Sequence, residues 1–279
     1  MAKQILVKKQ SGEKEPFSSD KLHQSLQRAG AGAVLTEKVE DALRDKMYDG
    51  ITTGEIYRKA FQLLKRFKNA TAARYSLKNA IMDLGPTGYP FEQFIGELLR
   101  CLGYEVEVGQ VVQGHCIQHE VDVVARNEQE QFMVECKFYN SQGKYCNVQV
   151  PLYIDSRFRD IEQLWRRHPG NGNLRFSGWV VTNTRFTTDA MDYGKCAGLH
   201  LLSWDYPRHH GLKEMIEQSG LFPITVLTSL NKNQKQQLLE QNVVLCRQLK
   251  QKTGLLDSVG LAKGKASAVI DELDELLGT

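Results

Sequence analysis

The sequence predicts a small α+β module, an α/β core with a mixed sheet and a helical C-terminal region, in that order. Three patterns support this prediction. Short strand and helix patterns fill residues 1–85, strands and helices alternate across residues 86–222, and residues 223–279 are polar and helical without a strand pattern. A length of 279 residues suits about two domains with an appendage.

The N-terminal module begins with two short strands joined by a turn at Ser11 and Gly12. Thr52 and Glu55 have the spacing of a capping box, which predicts the start of a helix there. Helical spacing of apolar residues predicts four helices in all: from near Ser19, from Thr36 to about Tyr48, from Thr53 to Phe67, and from Ala70 to Leu84.

A break follows these helices between Gly85 and Pro90. The segment GPTGYP contains two prolines and two glycines in six residues, which cannot continue a helix. We therefore expect a domain boundary near residue 85.

The next segment places acidic and basic residues inside two apolar runs that predict strands. Asp122 lies in EVDVVA, and Glu135 and Lys137 lie in FMVECKFY, with the polar turn NEQEQ between the runs. Side chains alternate along a strand, so Glu135 and Lys137 point to one face. Pairing of the two strands as a hairpin would place Asp122 beside Glu135.

Two carboxylates in an apolar setting repel each other and lose hydration unless a divalent cation lies between them. Asp122 and Glu135 therefore predict a Mg²⁺ (or Mn²⁺) site for phosphodiester hydrolysis, in which Lys137 orients the attacking water or neutralises developing charge. Charged residues on a strand are also typical of a solvated sheet edge. The valines that flank Asp122 and precede Glu135 favour the metal site.

A third carboxylate is expected from the helix before these strands. The segment YPFEQFIGELLRCLGY starts at a proline, has a broad apolar face and stops at Gly103. It carries Glu92 and Glu97, which lie five residues apart and do not share a face. Only one of the two can therefore approach the metal.

Glu92, Asp122 and the triplet Glu135-Cys136-Lys137 together resemble the PD-(D/E)xK nuclease superfamily, in particular the Mrr-type restriction endonucleases and the archaeal Holliday-junction resolvases. The resemblance implies a restriction-endonuclease-like core in which Glu92, Asp122 and Glu135 hold the metal and act in catalysis with Lys137. The proline of the family name is often missing in the superfamily, and it is absent here.

In those families the helical glutamate lies in a pattern like FExxxxxLLxxxGY, which matches Phe91-Glu92 through Gly103-Tyr104, so the resemblance favours Glu92 over Glu97. Relatives often carry a glutamine or a basic residue near the position of Gln149, which implies a contact with the water or the scissile phosphate. The following strand, helix and strand resemble the Mrr segment that completes the core sheet, so the likeness covers about residues 86–210.

The N-terminal module resembles the ATP-cone, the regulatory nucleotide-binding module of ribonucleotide reductases. The matching pattern is Val7-x-Lys9, Gly12, Pro16-Phe17 and Asp20-Lys21. The resemblance implies ATP or dATP as an allosteric ligand, with its phosphates held by Lys9 and Lys21 and with Lys8 beside them. Gln10 stands where the family usually has arginine.

Beyond Pro223 the pattern predicts two or three helices, and we expect this tail to pack on the nuclease core or on another subunit. The segment LLDSVGLAKGKASAVIDEL also resembles the second half of a helix-hairpin-helix, without its paired GxG. The net charge is only +3, so any affinity for DNA must come from a local patch. One candidate patch follows Pro151 and comprises Arg157, Arg159, Arg166, Arg167 and His168.

Six cysteines are scattered singly, and no CxxC pair occurs. His115, Cys116 and His119 lack a fourth ligand at zinc spacing, so His119 is considered instead as a residue lining the nuclease site. MAKQILVKKQ has no apolar core of a signal peptide, and no apolar run is long enough to span a bilayer. We therefore expect a cytoplasmic protein with reduced thiols.

These inferences predict a Mg²⁺-dependent DNA endonuclease, assembled as a homo-oligomer and controlled by bound ATP or dATP. The sequence has no GxxxxGK[ST] loop, so control would come from binding energy and not from hydrolysis. One alternative is a nucleotide-sensing DNA-binding regulator with a silent nuclease fold. Another is a nuclease that acts on RNA or on modified or branched DNA.

Overall fold

The structure is a computed structural model that describes residues 5–9, 12–141 and 143–278. Ser11, predicted in the first turn, and Gln10, at the usual arginine position, lie outside the described residues. The chain divides into two units. The first unit contains the chain up to residue 79, Val226–Lys235 and the residues from Leu249 onward, and the second contains Ala80–Thr225 and Gln236–Gln248.

The first unit opens with the two predicted strands. Strands β1 (Leu6–Lys8) and β2 (Lys14–Pro16) pair antiparallel, with Val7 opposite Glu15. Five helices follow: α1 (Ser19–Arg28), α2 (Ala33–Arg44), α3 (Thr53–Phe67), α4 (Asn69–Tyr75) and α5 (Leu77–Met82). The predicted hairpin is confirmed, but the last predicted helix is divided at Ser76, whose Oγ donates to the carbonyl of Ala73 at 3.0 Å and competes with the helical ladder.

Helix α3 has the predicted bounds, and it begins at the predicted residue because two reciprocal hydrogen bonds cap its first turn. The hydroxyl of Thr52 accepts from the backbone N–H of Glu55 at 3.1 Å, and Glu55 Oε2 accepts from the backbone N–H of Thr52 at 3.0 Å. This reciprocal pair satisfies two amides that the helix itself leaves free, and the predicted capping box is confirmed. The buried side chains that hold α1 to α4 together are Leu22, Leu26, Ala31, Val39, Leu43, Ala60, Leu63, Leu64 and Ala72.

The second unit is built on a five-stranded mixed sheet. In the order in which they lie in the sheet, its strands are β3 (Glu105–Gln113), β4 (Gln118–Arg126), β5 (Glu130–Lys137), β7 (Arg175–Thr182) and β9 (His200–Leu202). The first three pair antiparallel, and β5, β7 and β9 pair parallel. The short strands β6 (Tyr145–Cys146) and β8 (Arg185–Phe186) form a separate parallel pair. The predicted mixed sheet is confirmed.

Helices cover both faces of this sheet. Helix α6 (Tyr89–Cys101) packs on one face, where Gly96 is so close to Val108 that a Cβ would lie 2.8 Å from its side chain. Helix α7 (Gln149–Arg167) packs on the other, where Gly178 faces Phe158. Helices α8 (Thr188–Ala197) and α9 (Leu212–Ser219) complete the helices before residue 220. A row of aromatic rings from Tyr104 through Phe132 to Trp179 fills the core.

The C-terminal region has more helices than predicted, and its residues are divided between the two units, with Gln236–Gln248 in the second. It contains four α-helices in its described part: α10 (Lys232–Glu240), α11 (Cys246–Gln251), α12 (Leu255–Ser258) and α13 (Lys263–Leu277). Helix α13 packs on α4 within the first unit, where Arg74 donates to the carbonyl of Leu276 at 3.0 Å. Its buried Val269 and Leu273 need an apolar cover, and the small residues Ala72 and Ala73 of α4 allow a close approach.

No helix in the described ranges is long and apolar enough to cross a membrane.

Candidate active site

Asp122 and Glu135 come from neighbouring antiparallel strands. Strands β4 and β5 pair with Val123 opposite Val134, and one further step of this register places Asp122 opposite Glu135 on the same face. The Asp122 side chain, Oδ2, accepts a hydrogen bond from the backbone N–H of Cys136 at 2.6 Å. The predicted hairpin is therefore confirmed, and it brings the two acids together.

Glu135 is buried, with 5% of its surface exposed, and both of its oxygens are paired with cations. Lys137 Nζ lies 2.5 Å from Oε1, and Arg157 Nη1 lies 2.8 Å from Oε2. Arg157 comes from α7 and also donates to the backbone carbonyl of Glu120. Burial opposes the charge of Lys137, but the bond to Glu135 and the nearby acids raise its pKa, so the ammonium stays protonated.

Glu92 reaches the same electrostatic environment from α6. Burial raises the pKa of Glu92 to about 7, and the charges of Asp122 and Glu135 add to this shift. Burial also raises the pKa of Asp122 to about 6, again with a contribution from Glu135. Glu92, Asp122 and Glu135 thus lie in one partly buried site, where the negative charge of one acid disfavours ionisation of its neighbours. Glu97, the alternative on the same helix, instead bonds Arg100 at 2.7 Å.

The donor chemistry of this site fits a divalent cation. Burial and the charge of Glu135 raise the pKa values of Glu92 and Asp122, so a shared positive charge would stabilise both carboxylates, and hard oxygen donors are what Mg²⁺ and Mn²⁺ prefer. Across residues 5–9, 12–141 and 143–278, however, no three His, Cys, Asp or Glu side chains converge closely enough to hold a metal ion as they stand. At this site Glu135 faces Lys137 and Arg157, and Asp122 faces the Cys136 amide.

Gln149 begins α7 and is exposed. Its Oε1 lies 3.5 Å from Asn147 Nδ2, and its backbone N–H donates to Asn147 Oδ1 at 3.2 Å. The structure therefore places Gln149 in a local turn, and its contact with substrate stays a prediction.

His119 is paired with an acid of α7, and its place in the nuclease site stays a prediction. Its Nε2 lies 2.8 Å from Asp160 Oδ2 on α7. Asp160 also accepts from the backbone N–H groups of Cys116 and Ile117, at 2.8 and 3.3 Å. The bond to His119 and these backbone bonds hold the pKa of Asp160 well below its usual range. This cluster ties the β3–β4 turn to α7.

In the N-terminal unit the two predicted phosphate ligands meet at one acid. Lys9 Nζ lies 2.9 Å from Glu15 Oε2 and 3.1 Å from Glu13 Oε2, and Lys21 Nζ lies 3.3 Å from Glu15 Oε1. The bonds from Lys9 and Lys21 lower the pKa of Glu15. Lys8 is exposed, and its backbone N–H donates to Ile51 at 2.9 Å.

A cavity of about 280 Å³ opens beside this cluster. Glu15 and Lys21 form its charged side, and Tyr57 and Tyr75 stack on each other, with ring centroids 5.1 Å apart, at another. The remaining lining residues are Val7, Pro16, Phe17, Ser18, Leu22, Ser25, Thr53 and Ile56. An apolar pocket with charged groups at one side suits a ligand with a flat ring and an anionic tail.

Family models match three consecutive segments of the chain. A family model described as an ATP cone domain matches residues 5–81, a restriction endonuclease model matches residues 86–206, and an AF1548-like C-terminal model matches residues 222–277. An uncharacterized protein of Archaeoglobus fulgidus (strain ATCC 49558 / DSM 4304 / JCM 9628 / NBRC 100126 / VC-16) is 34% identical over 185 residues, or 66% of this chain and 100% of that protein. The chain belongs to the AF1548-like family.

One solved structure supports this family assignment. The crystal structure of AF1548, described as a protein of unknown function, shares 32% identity and a TM-score of 0.56 with this AF1548-like protein, over 69% of this chain and 99% of that chain. The structure of Can2 from Sulfobacillus thermosulfidooxidans, in complex with cyclic tetra-adenylate, reaches 14% identity and a TM-score of 0.35, over 72% of this chain and 54% of that chain.

The AF1548-like chain therefore joins an ATP cone to a restriction endonuclease-like domain. The restriction endonuclease match contains Glu92, Asp122, Glu135, Lys137 and Gln149. The ATP cone match contains Lys8, Lys9 and Lys21. The roles of these residues stay predictions.

Arg157 was predicted to lie in a basic surface patch, but the structure places it beside Glu135. A signal for its position was present, since Ile154, Arg157 and Ile161 follow helical spacing and both isoleucines are buried. Two other members of the predicted patch have partners on their own helix, because Arg159 pairs with Asp155 and Arg166 pairs with Glu162.

Proposed function

We propose that this protein is a Mg²⁺- or Mn²⁺-dependent DNA endonuclease whose cutting is controlled by ATP or dATP bound at the ATP cone. The observation that supports cutting is the shared electrostatic environment of Glu92, Asp122, Glu135 and Lys137, which come from one helix and two paired strands. The restriction endonuclease match spans all four residues.

In this proposal Glu92, Asp122 and Glu135 hold the metal ion. When bound, a divalent cation would supply Lewis acidity for hydrolysis of a phosphodiester. The Cys136 amide fixes Asp122, and the strand pleat keeps Glu135 and Lys137 on one face. The Lys137 ammonium remains charged beside Glu135, where it can neutralise charge developing on the phosphorus centre.

The regulatory half of the proposal rests on the cavity of the ATP cone. Lys9 and Lys21 converge on Glu15, so a triphosphate in this place would exchange one anionic partner for another. A nucleotide controls cutting only if it binds two states of the protein with different affinity, and we propose that these states differ in homo-oligomeric assembly.

A second candidate is a nucleotide-sensing DNA-binding regulator with a silent nuclease fold. The observation in its favour is that both oxygens of Glu135 are paired with cations. A third candidate is a nuclease that acts on RNA or on modified or branched DNA, with the same metal-dependent hydrolysis of a phosphodiester.

One assay separates these candidates. Purified protein would be incubated with supercoiled, linear, single-stranded and branched DNA and with RNA, each with and without Mg²⁺, Mn²⁺ and ATP. We expect cutting of DNA that requires the metal and changes with ATP. Binding of DNA without cutting under every condition would support the silent regulator, and cutting of RNA or branched DNA alone would support the third candidate.

A further inference from the structure

Arg157 is held from three sides beside the proposed metal site. Its Nη1 bonds Glu135 Oε2 at 2.8 Å, its Nη2 donates to the backbone carbonyl of Glu120, and its guanidinium lies 5.4 Å from the ring centroid of Tyr153. Only 11% of its side chain is exposed. A guanidinium stays protonated at every ordinary pH, so this position carries a permanent positive charge.

The two cations that pair with Glu135 differ in how firmly they are held. The Lys137 side chain is 37% exposed and can turn toward solvent, whereas Arg157 is largely buried and has two further contacts. Lys137 binds Oε1 of Glu135, and Arg157 binds the other carboxylate oxygen, Oε2. A divalent cation that binds Glu135 must therefore share this carboxylate with the Arg157 guanidinium or displace the guanidinium.

The charges of the site point the same way. Glu92, Asp122 and Glu135 would carry three negative charges, and burial of such a cluster without a counter-ion is costly. Lys137 and Arg157 supply two positive charges from within the chain. These internal cations stabilise the site without a metal, and they weaken its attraction for one.

We propose that Arg157 is a positioning residue that acts as an internal counter-ion: it orients Glu135 without a metal and lowers the affinity of the site for the divalent cation. This inference rests on the proposed function, because it assumes that Glu135 is a metal ligand. If Arg157 had a purely structural role, we would expect the opposite result, because loss of its side chain would disorder Glu135 and weaken metal binding.

The test is Mn²⁺ binding by the full-length protein, measured by calorimetry at fixed pH without nucleic acid. Arg157→Gln should bind Mn²⁺ more tightly than the unaltered protein, on the order of tenfold, because a unit charge is removed from beside a divalent ion. In chelator its melting temperature should fall by about 5–10 °C, since a buried pair loses one partner. Addition of Mn²⁺ should restore more of this stability than in the unaltered protein.

Two further variants make the result specific. Arg167→Gln removes the same charge from an exposed position in the last turn of α7 and should leave Mn²⁺ affinity unchanged. Arg157→Lys keeps the charge and should stay near the original affinity. If Arg157→Gln can be purified only with Mn²⁺ present, the Mn²⁺ affinity of Arg157→Lys still tests the proposal. A tenfold gain in the affinity of Arg157→Lys would overturn the role of charge, because this variant keeps the charge.

Failure of this inference can be told from failure of the proposed function. If the unaltered protein binds Mn²⁺ and cuts DNA, but Arg157→Gln binds Mn²⁺ equally or more weakly, the counter-ion role is wrong and the nuclease proposal stands. If neither protein binds Mn²⁺, both proposals are wrong. If only Arg157→Gln binds Mn²⁺, the counter-ion role is supported, and the silent regulator becomes the better account of the unaltered protein.

Discussion

The Asp122 side chain accepts a 2.6 Å hydrogen bond from the backbone N–H of Cys136, which ties the first acid of the site to the strand that carries Glu135 and Lys137. This bond lets the acceptor function and the charge of Asp122 be separated by mutation. An asparagine at this position keeps an oxygen for the Cys136 amide and loses the negative charge.

We predict that Asp122→Asn abolishes metal-dependent cutting, by at least about a thousandfold, and does not lower the unfolding midpoint at neutral pH in chelator, because the variant removes a charge that is unfavourable without metal. The loss follows because a neutral amide is a poor ligand for Mg²⁺. Cleavage rates and urea unfolding curves would measure the two effects. Glu107→Gln, an exposed acid on neighbouring β3, is the matched control. Full cutting by Asp122→Asn would show that the metal site is misassigned.

A second prediction compares the two glutamates of α6. Glu92→Gln should lower cutting and Mn²⁺ affinity far more than Glu97→Gln, because Glu92 lies in the field of Asp122 and Glu135 whereas Glu97 pairs with Arg100. Both variants remove one carboxylate from the same helix, so helix propensity is matched. The reverse ranking would show that the third carboxylate comes from Glu97.

Stability without metal should depend on pH through the same acids. The folded pKa of Glu92, about 7, and that of Asp122, about 6, lie above their ordinary values of 4.5 and 3.8. A raised pKa in the folded state means that this stability is present below the ordinary value and is lost as pH rises through the folded value. We therefore predict that the metal-free protein loses stability between about pH 4 and pH 7.

Melting temperatures in chelator across this range would measure the effect. Glu92→Gln should show a shallower decline than the unaltered protein, because a glutamine has no proton to lose. Glu97→Gln should retain the original slope. Equal slopes for all three proteins would mean that the Glu92 pKa is not raised in the folded state.

Local signals in the sequence were sufficient for much of this architecture. The capping box of Thr52 and Glu55 fixed the start of α3, and the apolar runs around Asp122 and Glu135 predicted the strand pair. The division of α4 and α5 at Ser76 was not predictable, because apolar spacing continues through it and only the geometry of the bonds shows the break.

Long-range partners were harder to predict than local structure. Arg157 lies 22 residues from Glu135, and its charge alone suggested a surface patch. The C-terminal tail was expected to pack on the nuclease core or on another subunit, but a helical pattern does not show which surface will cover it. The small side chains of α4 cover α13. The meeting of Lys9 and Lys21 at Glu15 likewise depends on the β1–β2 register.

The last prediction concerns nucleotide binding at the ATP cone. Lys9→Ala and Lys21→Ala should each weaken ATP binding by about tenfold or more, because each removes a charged partner of the phosphates. Glu15→Gln should act in the opposite direction and strengthen binding severalfold, since Glu15 now occupies both lysines and would compete with the triphosphate. Calorimetry with ATP, dATP and a non-hydrolysable analogue would measure these affinities. The analogue should bind about as well as ATP, because occupancy and not turnover is required.

The matched control is Lys14→Ala, which changes an exposed lysine on β2 and should leave the affinity for ATP unchanged. Weaker binding by Glu15→Gln would mean that Glu15 supports the ligand, and no binding of any adenine nucleotide to the unaltered protein would show that the regulatory half of the proposal is wrong.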